Sequence, residues 1–268
     1  MKKLFYATVV LVGFLIIYLS IMPKKIEIPD LIAENDSNYI STSINDPELN
    51  SIIKKINAKA DGIQTIFCES MPIRIKNGRF SFKVHGQLAH QKDRYFRLVV
   101  SHRISGKEMD IGSNKQIFWF WSKRMEPPCL YFSKHENIQK TNLKTPLNPD
   151  WMIESLNVGK INIENIHGSK RKEDLFYTYE KRRSASQENI KLVTVIDCKS
   201  GKIIGRSLTT EEDKPIVTTS YKDNTMILVW HEEDVVMEWD TSAAKLNVPI
   251  PEKYWLLPDF ANKIDMGQ

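Results

Sequence analysis

Cysteine is scarce in this chain of 268 residues. Cys68, Cys129 and Cys198 stand far apart, and no C-x-x-C pair occurs. A structural zinc site or a disulfide framework therefore has no support. One bridge can form in an oxidising compartment, and three free thiols is the alternative. Catalytic signatures are missing too. There is no G-x-S-x-G, H-E-x-x-H, P-loop or dinucleotide fingerprint. The six histidines, His85, His90, His102, His135, His167 and His231, are spread along the chain. Glu232-Glu233-Asp234 beside His231 reads as a solvated turn. The expectation is a protein that is not an enzyme and needs no cofactor or metal. A charge excess of one sign is also lacking, since the net charge is only +5. Lys170-Arg171-Lys172 and Lys181-Arg182-Arg183 read as loop or strand-edge charge rather than a nucleic-acid surface.

A long hydrophobic run occurs at the start. Leu4 to Met22 is 19 residues without a charge, flanked by Lys2-Lys3 and Lys24-Lys25. As a helix it reaches about 28 Å, close to a bilayer's hydrocarbon core. A cleaved signal peptide is the alternative, but the run is long and ends without an A-x-A-like site. No cysteine follows it for lipidation. Residues 1–22 are thus expected to be a membrane anchor, with the rest exported across the inner membrane. Residues 23–46 read as a flexible linker, and 47–268 as one domain.

Asp46 can cap a helix that Pro47 opens. Leu49, Ile52, Ile53 and Ile56 form one apolar stripe, and Asp61-Gly62 ends it. The period then changes to two. Phe80, Phe82, Val84, Gly86 and Leu88 share a strand face. Phe96, Leu98 and Val100 follow, then Met109 and Ile111. A short helix comes next, with Asn148 as cap, Pro149 at its start and Trp151, Met152 and Leu156 on its less polar side. Strands resume near 175–181, 190–197, 202–208, 216–221, 226–230 and 235–239. The tail from Leu246 to Pro258 reads as extended. This order of helix, about five strands, short helix and about six strands predicts an open antiparallel sheet with helices on one face.

Ile117-Phe118-Trp119-Phe120-Trp121 is apolar on both strand faces, which a strand with one wet face should not be. Either it is a central strand covered twice, or one aromatic pair lines an apolar cavity. Trp119 and Trp121 are expected to line that cavity with Phe82, Val84, Leu98, Val100, Met109 and Ile111. Ile52, Ile53, Ile56, Trp151, Met152 and Leu156 are expected to form its lid.

The stretch from Arg79 to Val158 contains Gly86-Gln87-Leu88-Ala89, Phe96-Arg97-Leu98-Val99-Val100 and Gly106-Lys107-Glu108-Met109-Asp110-Ile111-Gly112-Ser113. Pro127-Pro128-Cys129-Leu130-Tyr131 and Pro149-Asp150-Trp151-Met152 follow. With these pieces the stretch resembles the LolA/LolB-like periplasmic lipoprotein carriers, in particular their divergent, planctomycete-like branch. The resemblance implies a mainly β half-barrel of about eleven strands, unclosed, with helices covering its concave face. It implies lipid or lipoprotein acyl chains as ligand. An envelope sensor or protein-interaction module on the same fold is the alternative. An anchored chain differs from a soluble carrier with a cleaved signal peptide, so local acceptance of a lipid fits better than shuttling.

Overall fold

The computed structural model describes residues 40–42, 46–141, 147–184 and 187–268. The expected anchor, Leu4–Met22, and most of the expected linker lie outside these residues. Among the described residues no helix is long and apolar enough to cross a membrane.

Helix α1, Pro47–Asp61, begins where the sequence places it. The Asp46 carboxylate accepts from the backbone N–H of Glu48 and Leu49, a cap worth about 1 kcal/mol. Six strands follow: β2 (Thr65–Asn77), β3 (Phe80–Gln91), β4 (Tyr95–His102), β5 (Gly106–Ser113), β6 (Ile117–Ser122) and β7 (Leu130–Lys134). Helix α2, Pro149–Ser155, is capped by Asn148. Beyond it run β8 (Ile166–Lys172), β9 (Leu175–Arg183), β10 (Asn189–Asp197) and β11 (Lys202–Thr210). Then come β12 (Pro215–Lys222), β13 (Thr225–Trp230) and β14 (Val235–Asp240).

All strands belong to one sheet, in which β8 to β14 run in sequence order and β14 then pairs β2, which continues to β7. The β14–β2 pairing, Met237 opposite Ile75, joins the two halves. At one edge β1 (Ile40–Thr42) pairs β8; at the other β16 (Lys263–Asp265) pairs β7 in parallel. β15 (Lys245–Leu246) adds to β2. Among the described residues the two edges do not pair with each other, so the sheet is open.

The described strands number sixteen, against about eleven expected. Three of the extra ones, β1, β15 and β16, are pieces of two or three residues. Three residues of the expected linker form β1, because an uncovered edge of N–H and C=O groups templates even a short segment. The tail is not wholly extended, since Glu252–Trp255 makes a 3-10 turn.

Both helices pack on the same sheet face. Leu49, Ile52 and Ile53 of α1 are buried against Ile166, Phe176, Ile196 and Ile203. Each such side chain contributes about 1.5–3 kcal/mol of burial. α2 lies over the β2–β5 half and the centre of the sheet. The helix-bearing side is called the inner face below.

Candidate functional site

The inner face of β2–β7 is apolar because residues paired across antiparallel strands point the same way. Leu88, Leu98, Ile111, Phe120 and Tyr131 stand opposite one another in successive strands. Gly86, Val100 and Met109 form the next row. Val84 pairs Ile73, which pairs Trp239. Of the expected lining, Val84, Leu98, Val100, Met109 and Ile111 are brought together here and buried, with Phe82 packed half-buried beside them.

Trp119 and Trp121 do not join them. Trp119 pairs Gly112 and Trp121 pairs Asp110, which puts both indoles on the outer face. Phe120 takes the inner position instead. The strand is covered on both sides, so its aromatic run carries no face preference of its own. On the outer face the Trp119 ring lies over Gly112, where a Cβ would overlap it. Its indole N–H donates to Asp110 Oδ1 at 3.2 Å. The Arg97 fork donates to both Asp110 oxygens at 3.1 and 2.8 Å. The C-terminal segment covers this arrangement. Tyr254 O accepts from Arg97, Trp255 packs at a tilt against Tyr95, and the Phe260 ring centre lies 5.1 Å from that of Trp121.

The expected lid residues divide. Met152 and Leu156 of the α2 region pack on the apolar face with Ile153. Trp151 packs on Ile190, Leu192, Leu208, Val217 and Leu228 nearer the sheet centre. Ile52, Ile53 and Ile56 cover the β8–β11 side instead, away from the expected lining residues.

A polar centre lies beneath α2 that the sequence reading missed. Glu154 Oε1 meets Arg182 Nη2 at 3.0 Å and Arg206 Nη1 at 3.2 Å. Arg182 also reaches Glu180 at 3.0 Å. Arg206 is 1 % exposed, so its charge depends on these partners. Burial alone would lower the Arg182 pKa, but the Glu154 and Glu180 carboxylates together outweigh it and hold the guanidinium above its usual value. The Tyr221 hydroxyl donates to Ser155 O at 2.8 Å, and burial pushes its pKa up. The signal was the strand alternation: Arg206 shares its face with Leu208, a core position.

At the end of the apolar face, where α1 stops and α2 starts, lies a cleft of about 250 Å³. Ile153 and Val158 form its apolar wall, and His90, Lys92, Arg94 and Lys160 are among its polar lining. His90 is buried, and Nδ1 lies 2.9 Å from Tyr95 O. Burial lowers its pKa to about 4, against a smaller opposing effect of the Tyr95 carbonyl. The ring is therefore neutral near pH 7.

The solved structure of a DUF1329 family protein from Desulfovibrio piger superposes with a TM-score of 0.51 at 9 % identity, covering 79 % of this chain and 98 % of that one. A LolA superfamily protein from Nitrosomonas europaea superposes with a TM-score of 0.49 at 12 % identity, covering 76 % and 97 %. The chain shares its fold with the DUF1329 family protein. A Vibrio parahaemolyticus domain whose description refers to outer membrane lipoprotein sorting aligns less well, at TM-score 0.44 and 10 % identity over 76 % and 94 %. Identities this low speak to the fold alone. No family model matches the sequence, and no curated protein is similar to it in sequence.

Proposed function

We propose that this chain is an extracytoplasmic binding protein that holds acyl chains of a lipid or lipoprotein on the inner face of β2–β7. The observation that carries this reading is how that face is covered. Met152, Ile153 and Leu156 seat on a wide apolar surface, while Glu154, in the same seven-residue helix, is held by ion pairs to β9 and β11. A short segment held by polar contacts makes a cover that can open; a continuous core layer does not. The 250 Å³ cleft is below the roughly 300–1,000 Å³ of small-molecule sites, so uptake requires α2 to move. In this reading Leu4–Met22 anchors the chain in the inner membrane, and the domain acts locally as a binder and not a catalyst.

The test is lipid mass spectrometry on full-length protein purified from membranes. A stoichiometric acyl lipid or lipoprotein is expected. A folded protein that carries none and takes up no fluorescent phospholipid overturns the reading. Protease protection in spheroplasts checks the orientation of the anchor.

The packing of Met152, Ile153 and Leu156 on that face favours one second reading, an envelope sensor or protein-interaction module. Cross-linking in intact membranes to a single stoichiometric protein, without bound lipid, supports it.

A further inference from the structure

The cleft between the end of α1, the β3–β4 turn and the start of α2 has a composition unlike the apolar face it adjoins. Lys92, Arg94 and Lys160 bring three positive charges, and Asp61, Asp93 and Asp150 bring three negative ones. Such a balanced rim attracts neither a plain anion nor a plain cation; a ligand carrying both charges matches it. The Asp61 carboxylate meets Lys160 at 2.8 Å, and this contact is the main cause that holds its pKa below the usual value.

His90 supplies the second observation. It is 4 % exposed and lines the cleft. Tyr95 O can only accept, so Nδ1 carries the proton of the neutral ring. Nε2 is then an acceptor, and among the described residues no group donates to it. His90 lines the cleft, and an acceptor there is satisfied by a donor from a ligand or from water.

Size and position complete the case. At about 30 Å³ per water-sized group, 250 Å³ holds about eight such groups. That accommodates a phosphoethanolamine head and not a whole lipid. Ile153 and Val158 belong both to the cleft wall and to the apolar cluster under α2. A polar head in the cleft therefore has its chains led toward the inner face.

We propose that this cleft binds the zwitterionic head of an aminophospholipid, with the ammonium donating to His90 Nε2 and the phosphate facing Lys92, Arg94 and Lys160. The assignment rests on the acyl-binding reading above and adds the lipid class. It also gives a route to opening. Arg94 meets Asp150 of α2 through Nε at 3.1 Å and Nη2 at 3.2 Å, both side chains about half exposed. A pair this exposed is weak, and a phosphate can replace the carboxylate on Arg94. Headgroup binding then releases the first turn of the cover.

The test uses the full chain held in amphipol and titrated with three probes by native mass spectrometry. These are dihexanoyl phosphatidylethanolamine, dihexanoyl phosphatidylglycerol and glycerophosphoethanolamine. The ethanolamine lipid should bind about tenfold more tightly than the glycerol lipid, and His90→Phe should remove that preference. Lys160→Gln, at an exposed position, should weaken both lipids severalfold, and it reports even where His90→Phe fails to fold. Equal affinities for the two lipids, or no loss in Lys160→Gln, overturn the headgroup assignment and leave the acyl reading standing. Glycerophosphoethanolamine binding as tightly as the lipid makes the cleft a site for a soluble head and overturns the proposal. A folded protein that binds neither lipid defeats both readings.

Discussion

The indole N–H of Trp119 donates to the carboxylate of Asp110, a residue with no exposed surface, on the side of the sheet away from both helices. Arg97 and Lys107 complete the shell around that carboxylate. Removing a buried partner leaves Arg97, only 14 % exposed, without its counter-charge. Asp110→Ala should therefore cost about 3–5 kcal/mol in urea unfolding. A loss below 1 kcal/mol would show that the outer-face cluster is not structural.

Gly112 gives a steric check on the same packing. A methyl group there meets the Trp119 ring, so Gly112→Ala should destabilise by about 1–3 kcal/mol through overpacking. Gly159→Ala, whose added carbon finds only Arg206 Nη1 at 3.9 Å, should stay within about 0.5 kcal/mol. Similar melting shifts for the two variants would contradict the outward placement of Trp119.

Glu154 is the counter-charge of Arg182 and Arg206 under the cover helix. Glu154→Gln keeps the volume and removes the charge. Amide exchange over 149–155 should speed up, by local destabilisation of about 3 kcal/mol, with little change in β3–β6. In the proposed function the same variant takes up lipid faster. Unchanged exchange in α2 would show that its apolar contacts alone hold it.

His90 predicts an acid sensitivity. Its folded pKa of about 4 lies below the ordinary histidine value, because burial disfavours the charged ring. Between about pH 6.5 and 4 the unfolded chain binds the proton and the folded one does not, so stability falls with falling pH. The full loss is about 3 kcal/mol, reached below pH 4. His90→Phe should flatten the pH dependence of urea stability in that window. An unchanged slope would place the acid response in other groups.

Much of this fold was legible because its determinants are local. The Asp46 cap, the Leu49–Ile52–Ile53 stripe and the alternation through Val84, Leu98 and Ile111 lie within single elements. Helix and strand periods are read by neighbours a few residues apart, so the sequence alone names those elements and their buried faces. The strands read near 175–181, 190–197 and 202–208 match β9, β10 and β11 for the same reason. Sequence reading failed where two faces were equally apolar. Phe118, Trp119, Phe120 and Trp121 suit either side, and the choice came from Gly112, Asp110 and a C-terminal segment more than a hundred residues away. The Glu154–Arg206 pair and the His90 cleft were likewise hidden, since their members come from elements that meet only when the sheet assembles. The chain's own pattern determined which segments are strands and helices and which of their residues avoid water. Only the tertiary structure decided what covers each face and which buried charges meet, because those depend on contacts between segments distant in sequence.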